Sequence, residues 1–254
     1  MAKTLSIVPF EGANENLAAT TAPQDVSRED AATFDVLRQM REDILCCALK
    51  PDQRLRFGEL RQRYGTSVGT LREALSHLVS EGLARTEAGR GFSVAPISLA
   101  DFLDLSELRV YLETRTLADA IRHGTDAWEA EIVSSHFLLS KLGKPSPDDP
   151  VSLKREWGKR HKRFHDSLVA TCTSPWSLHF RSELFDQARR YHWLTMIHAR
   201  SRRKNEHLEL RDAVLARDVD LACDLIEKHI RGTVEQAASE VPGLTLEVAK
   251  QKKG

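Results

Sequence analysis

The chain has 254 residues, enough for two domains or one large one with a sizeable buried core. With 41% apolar and 29% charged residues it has the composition of a soluble globular protein, and no apolar run reaches the length of a membrane span. Thirty-seven basic residues balance thirty-seven acidic ones, so any affinity for nucleic acid must come from a local patch rather than the overall field.

Four cysteines, two of them adjacent at Cys46-Cys47, make neither a disulfide framework nor a CxxC zinc spacing, which points to a reducing cytoplasm. The N-terminus lacks the charged-then-apolar pattern of a secretory signal. Residues 1–32 are rich in Ala, Thr, Asn, Asp and Glu without a sustained period and are expected to form a disordered tail. Phe34 to Ala48 carries Leu37, Met40, Ile44 and Leu45 at helical spacing, and Lys50-Pro51-Asp52 breaks it.

Phe57, Leu60 and Tyr64 repeat at i, i+3, i+7, and Gly65 follows where a helix favours a left-handed C-terminal residue. Ser67 is placed to cap a second helix, with Leu71, Ala74, Leu75, Leu78 and Val79 on its apolar face and Val68, Thr70 and Arg72 off it. Gly82 is expected to end that helix. Two helices joined by so short a turn must cross steeply, the geometry of a helix-turn-helix. Leu83 to Arg85 and Phe92 to Val94 are then expected to pair around Gly89-Arg90-Gly91 as a wing. The alternative is a small α+β domain with solvated arginines. Charge does not decide between them, because residues 52–92 hold seven Lys/Arg against five Asp/Glu.

Ser67 to Leu75 (SVGTLREAL), the LVSEGL run and the glycine-tipped turn together resemble the winged helix of the GntR family of bacterial transcription regulators. The resemblance implies that Arg72, Ser67 and Thr70 contact operator DNA and that Gly89 lies against the minor groove. Arginine is common in the family where Val68 stands, and often also where Gly58 stands, so this chain departs there. Arg56, Arg61 or Arg90 would supply phosphate contacts that position the domain without reading bases.

After Pro96, Ser98 to Asp101 reads as a capping box opening a long helix. Helices are expected near Asp101 to His123, Asp126 to Leu142, Leu153 to Cys172, Ser177 to Ile197, Asn205 to Ala216 and Leu221 to Ala238. The GKPSPDDP segment, 143–150, is the clearest loop, since its prolines cannot sit inside a helix. The expected fold is therefore mainly α: an N-terminal winged helix-turn-helix, residues 33–96, followed by a six-helix antiparallel bundle, residues 97–240. Residues 241–254 are expected to be a flexible basic tail.

Within the bundle, His161 and His165 stand at i, i+4 on a face shared with Trp157, Phe164 and Leu168, so both imidazoles point inward. His207 shares a stripe with Leu210 and Val214, and His229 lies beside Leu225 and Ile226. Unpaired buried polar groups cost about 1–3 kcal/mol each, so four inward histidines call for a common partner. A divalent metal such as Zn or Ni would satisfy all four. The alternative is core histidines bonded to backbone or carboxylates.

RFHDSL around His165, EHLEL at His207 and EKHIRG at His229, with the RVYLE segment, are similar to the C-terminal ligand-binding (FCD) domain of the FadR-type GntR branch. That resemblance implies a metal held by three histidines and an aspartate, with a small organic acid beside it. His161 stands at the aspartate position, which makes the site all-nitrogen and removes a negative charge. Arg109, at the branch's arginine position, and Arg190 in ARRYHW are the candidate carboxylate anchors, Arg109 being equally able to pair with Glu113 at i, i+4. HKRFHDSL and LFDQARRY look most like regulators of glutarate and related dicarboxylate catabolism.

The sequence thus reads as a cytoplasmic homodimeric regulator, a repressor, on a pseudopalindromic double-stranded operator and under control of a carboxylate. A metal sensor without an organic effector is one rival. A metal-dependent hydrolase is another, opposed by the lack of a placed general base and by four protein ligands closing a tetrahedral ion.

Overall fold

The computed structural model describes residues 28–87, 89, 91–146, 148–198, 205–241 and 244. The expected tail up to residue 27, Arg90 and nearly all of the expected C-terminal tail lie outside the described residues. The first helix, α1 (Arg28–Leu45), starts before Phe34, inside the segment read as tail. It stops at Leu45 rather than Ala48. Cys47 turns left-handed at φ 54° and the Leu49 amide folds back onto the Asp43 carbonyl.

The next elements are β1 (Arg54–Leu55), α2 (Phe57–Tyr64), α3 (Val68–Ser80), β2 (Ala84–Glu87) and β3 (Gly91–Val94). Gly65 closes α2 in the left-handed region at φ 64°, as its position after Tyr64 suggests. The Ser67 side chain accepts from the Thr70 amide and caps α3. Strand β3 lies between β2 and β1, both antiparallel to it, with Ala84 opposite Val94 and Arg54 opposite Ser93. Two-residue β1 is too short to show a period, and the sequence reading missed it. Met40, Ile44, Leu60, Leu71, Leu75, Leu78, Leu83 and Val94 form one buried core beneath α1, α2, α3 and the wing.

Six helices follow: α4 (Leu99–His123), α5 (Asp126–Ser140), α6 (Val151–Leu168), α7 (Pro175–His198), α8 (Glu206–Leu215) and α9 (Val219–Glu240). Each expected bundle helix is present, with ends shifted by a few residues. The Ser98, Thr125 and Asp218 side chains cap α4, α5 and α9 by accepting a backbone amide in the first turn. Val110, Leu117, Trp128, Ile132, Phe164, Leu168, Trp193, Val214, Ile226 and Ile230 fill the bundle core, with all six helices contributing. Among the described residues no helix is long and apolar enough to cross a membrane.

Helix α1 joins the two parts. Cys46 at its end is buried in the bundle core, while its Met40 and Ile44 belong to the winged-helix core. Asp43 is fully buried and receives Arg63 from α2 at 2.7 Å, the Tyr64 hydroxyl at 2.7 Å and Arg155 from α6. Glu42 is held by both outer nitrogens of Arg189 on α7, at 2.9 and 3.1 Å. One helix thus packs against the winged-helix elements on one side and the bundle on the other.

Candidate functional sites: an exposed recognition helix and a histidine centre

On α3 the apolar stripe Leu71, Ala74, Leu75 and Leu78 is buried, which turns Ser67, Val68, Arg72 and Ser76 outward. Thr70 is half-buried, its hydroxyl 3.0 Å from that of Ser67, and the Arg72 guanidinium lies 5.5 Å from the centre of the Phe57 ring. Arg56, Arg61 and Gly89 are exposed, and Gly89 turns with φ 67°. Arg56 pairs with Glu59 at 3.3 Å. Arg63, though basic and nearby, is committed to Asp43.

The second site is built on α6, α8 and α9. The i, i+4 spacing on α6 stacks His161 and His165, and their Nε2 atoms lie 3.2 Å apart. Nε2 of His207, at the start of α8, lies 3.1 Å from His161 and 3.3 Å from His165. His229 on α9 completes the group, and the four donor atoms all fall within 4.8 Å of one another. Its Nδ1 bonds Glu206 at 2.9 Å, the carboxylate partner that orients a ligating imidazole.

Three neutral rings cannot satisfy this triangle, because each imidazole has one N–H and the three Nε2 atoms face one another. Nitrogens about 2.0–2.1 Å from one ion sit about 3–3.4 Å apart, so the Nε2 atoms of His161, His165 and His207 have the spacing of ligands to one divalent metal, with His229 close by. Burial first, and neighbouring imidazoles second, hold His161 well below the ordinary histidine range; burial also leads the lowering at His165 and His207. These rings are neutral at neutral pH, the form that ligates. Trp157 stacks on His161 at 4.6 Å and helps keep its ring in place.

Beside the cluster lies a cavity of about 30 Å³ lined by Phe102, Arg109, His161, Phe185, Arg189 and His192, with His229 and Thr233 also on its wall. Arg109 lines this cavity and pairs with Glu113 at 3.3 Å. Glu113 is itself buried and also holds Arg181 at 2.8 Å, which donates to the His165 carbonyl at 2.9 Å. Arg190 is placed elsewhere. It does not line the cavity; its guanidinium reaches the Ala95 and Pro96 carbonyls of the segment between wing and bundle. One residue around α7 rotates a side chain by about 100°, so adjacent arginines face different surroundings.

Three site features went unread in the sequence. His192, whose buried Nε2 has no hydrogen-bond partner among the described residues, shares an α7 stripe with Phe185, Ala188 and Arg189, so helical periodicity could have found it. Arg189 was accessible by the same route. The Glu113–Arg181 pair joins positions 68 apart in the chain, and no local pattern announces it.

Residues 33–94 match the family described as bacterial regulatory proteins, gntR family, and residues 104–232 match the FCD domain. The HTH-type transcriptional regulator BphR of Paraburkholderia xenovorans is 38% identical over 218 residues, 85% of this chain and 89% of that protein. The chain belongs to the GntR family.

The HTH-type transcriptional repressor GlaR of Escherichia coli is a further relative, 36% identical over 78% of this chain and 92% of its own. Among solved structures, E. coli McbR/YncC superposes with a TM-score of 0.66 at 19% identity, covering 81% of this chain and 96% of its own, and shares the fold. A GntR regulator from Rhodococcus sp. RHA1 does likewise, with a TM-score of 0.66 at 18% identity over 82% of this chain and 97% of its own. As a GntR protein with an FCD domain, this chain is a DNA-binding transcription regulator and not an enzyme.

Proposed function

We propose that the protein is a cytoplasmic homodimeric repressor whose operator binding is controlled by a small carboxylate, chiefly a dicarboxylate, bound in a metal-containing bundle. The observation that carries this reading is the meeting of four imidazole donors with a cavity that Arg109 also lines. His161, His165, His207 and His229 would hold Zn, Ni or a similar ion, which offers a cationic anchor to an oxygen ligand when a coordination position is open. Arg109 adds a guanidinium fork suited to a carboxylate. The GlaR relative's description as a repressor supports the sign of regulation.

On DNA, Arg72, Ser67 and Thr70 would read the major groove, with Val68 at the helix start, Gly89 at the wing and Arg56, Arg61 and Arg90 on phosphates. One short helix reads few bases, so two copies related by a two-fold on a pseudopalindrome supply the specificity. The dividing region near residue 96 separates the reading module from the sensing one.

The decisive test is thermal shift of the protein against mono- and dicarboxylates, with and without prior chelation. A midpoint raised by one acid and returned to baseline by chelation supports the proposal. The small cavity favours one rival, a metal-responsive regulator without an organic effector. That rival takes over if metals shift the midpoint and no acid does.

A further inference from the structure

Arg189 faces both the candidate effector cavity and the DNA-binding part of the chain. It lines the cavity with Arg109, His161 and His192, and both its outer nitrogens bind the two oxygens of Glu42 on α1 at 3.1 and 2.9 Å. It crosses α6 where Gly158 has no side chain, since a Cβ there would stand 3.0 Å from Arg189 Nη2. Gly158 lies one helical turn before His161. A cavity of about 30 Å³ holds about one water, far less than an organic acid, so an entering acid must displace a lining group.

We propose that a carboxylate entering this cavity takes the Arg189 guanidinium from Glu42 and so loosens α1 from the bundle. This rests on the acid-effector reading above. The choice between the two lining arginines follows from burial. Arg109 is tied to Glu113, whose side chain is 3% exposed, so the oxygen it leaves would gain no water even though Arg181 still holds the other, whereas the Glu42 side chain is 21% exposed and can be solvated once released. The exchange replaces one carboxylate by another, so the Arg189 guanidinium keeps a carboxylate partner. Its effect spreads through Asp186, which lies 3.6 Å from Arg189 and 3.3 Å from Arg41 of α1. Movement of Arg189 therefore disturbs two of the links that hold α1 to α7.

The test uses the metal-loaded full chain, the variants Glu42→Gln and Arg189→Gln, and a panel of two- to six-carbon dicarboxylates that includes glutarate, followed by titration calorimetry. Competition predicts that the acid which binds the parent binds Glu42→Gln about tenfold more tightly, because Arg189 no longer has to be released first. Arg189→Gln should weaken it by at least as much. Amide exchange along α1 in the parent protein should speed up when the acid is added, a readout that needs no variant. Unchanged affinity in Glu42→Gln, or unchanged exchange in α1 despite binding, overturns the exchange while leaving the acid-effector reading intact. Failure of every acid to bind the parent overturns both.

Discussion

At the scale of single residues, the two sites use opposite environments. Arg72 is exposed and rests on the Phe57 ring, so its removal should spare the core. Arg72→Ala is expected to weaken specific operator binding about 10- to 100-fold with an unchanged thermal midpoint, as read by fluorescence anisotropy. Operator affinity equal to the parent's would dismiss the recognition-helix assignment. The histidine centre depends on burial instead, which lowers the proton affinity of His161, His165, His192 and His207. Unfolded imidazoles take a proton near pH 6.5, whereas these packed rings stay neutral to lower pH. Below that value the unfolded chain binds more protons, so the chelated protein should lose stability as the pH falls from about 7.5 to about 5.5. A flat midpoint over that window would contradict neutral, packed rings.

The residue scale also marks what the sequence could show. His161 and His165 were legible because i, i+4 spacing on an apolar stripe is local information. Their meeting with His207 and His229 depends on how three helices pack, and the sequence could suggest it only through the cost of four inward imidazoles and a family resemblance. Arg190 shows the reverse case: motif position nominated it, and a turn of about 100° per residue sent it to the linker carbonyls while its neighbour Arg189 lines the cavity.

At the scale of elements, the joins are as specific as the helices. Gly124, between α4 and α5, lies under the Trp128 ring and against Arg217, and a Cβ there would overlap both. Trp128 cannot easily yield, because its indole nitrogen donates to the Ser167 carbonyl at 2.8 Å within the core. Gly124→Ala is expected to destabilise the bundle by about 1–3 kcal/mol, measured by urea unfolding. A stability within error of the parent would mean that α5 shifts freely against α4. Asp43 plays the comparable role between α1, α2 and α6. Asp43→Ala would leave Arg63 and Arg155 without their carboxylate, but both side chains are about a third exposed, at 39% and 33%. Water can therefore take over part of their solvation, and the expected cost is about 1–3 kcal/mol rather than the larger loss at a sealed pair. Hydrogen exchange should show that loss in α1 and α2 together.

At the scale of the molecule, α1 lies in the winged-helix core and Cys46, the residue after its end, in the bundle core, so a change at the bundle can reach α3 through packed side chains. If the four histidines bind a metal that the unfolded chain does not, chelation should lower the thermal midpoint by several degrees, and His165→Ala should abolish the difference. Equal midpoints for parent protein with and without chelator would remove the metal from the account.

Local physics was enough to read the helix-turn-helix, the wing and the six bundle helices. Apolar period, a capping Ser67 and a left-handed Gly65 act over a few residues and are written in the chain. The start of α1 and the two-residue β1 were not, because a polar first turn and a strand no longer than one side-chain period carry no apolar signal. The cavity, the shared Asp43, the Glu113–Arg181 pair and the Arg189–Glu42 bridge were decided by tertiary structure alone. Each joins residues far apart in the chain, and whether a charge is buried, paired or solvated depends on neighbours that only packing brings together.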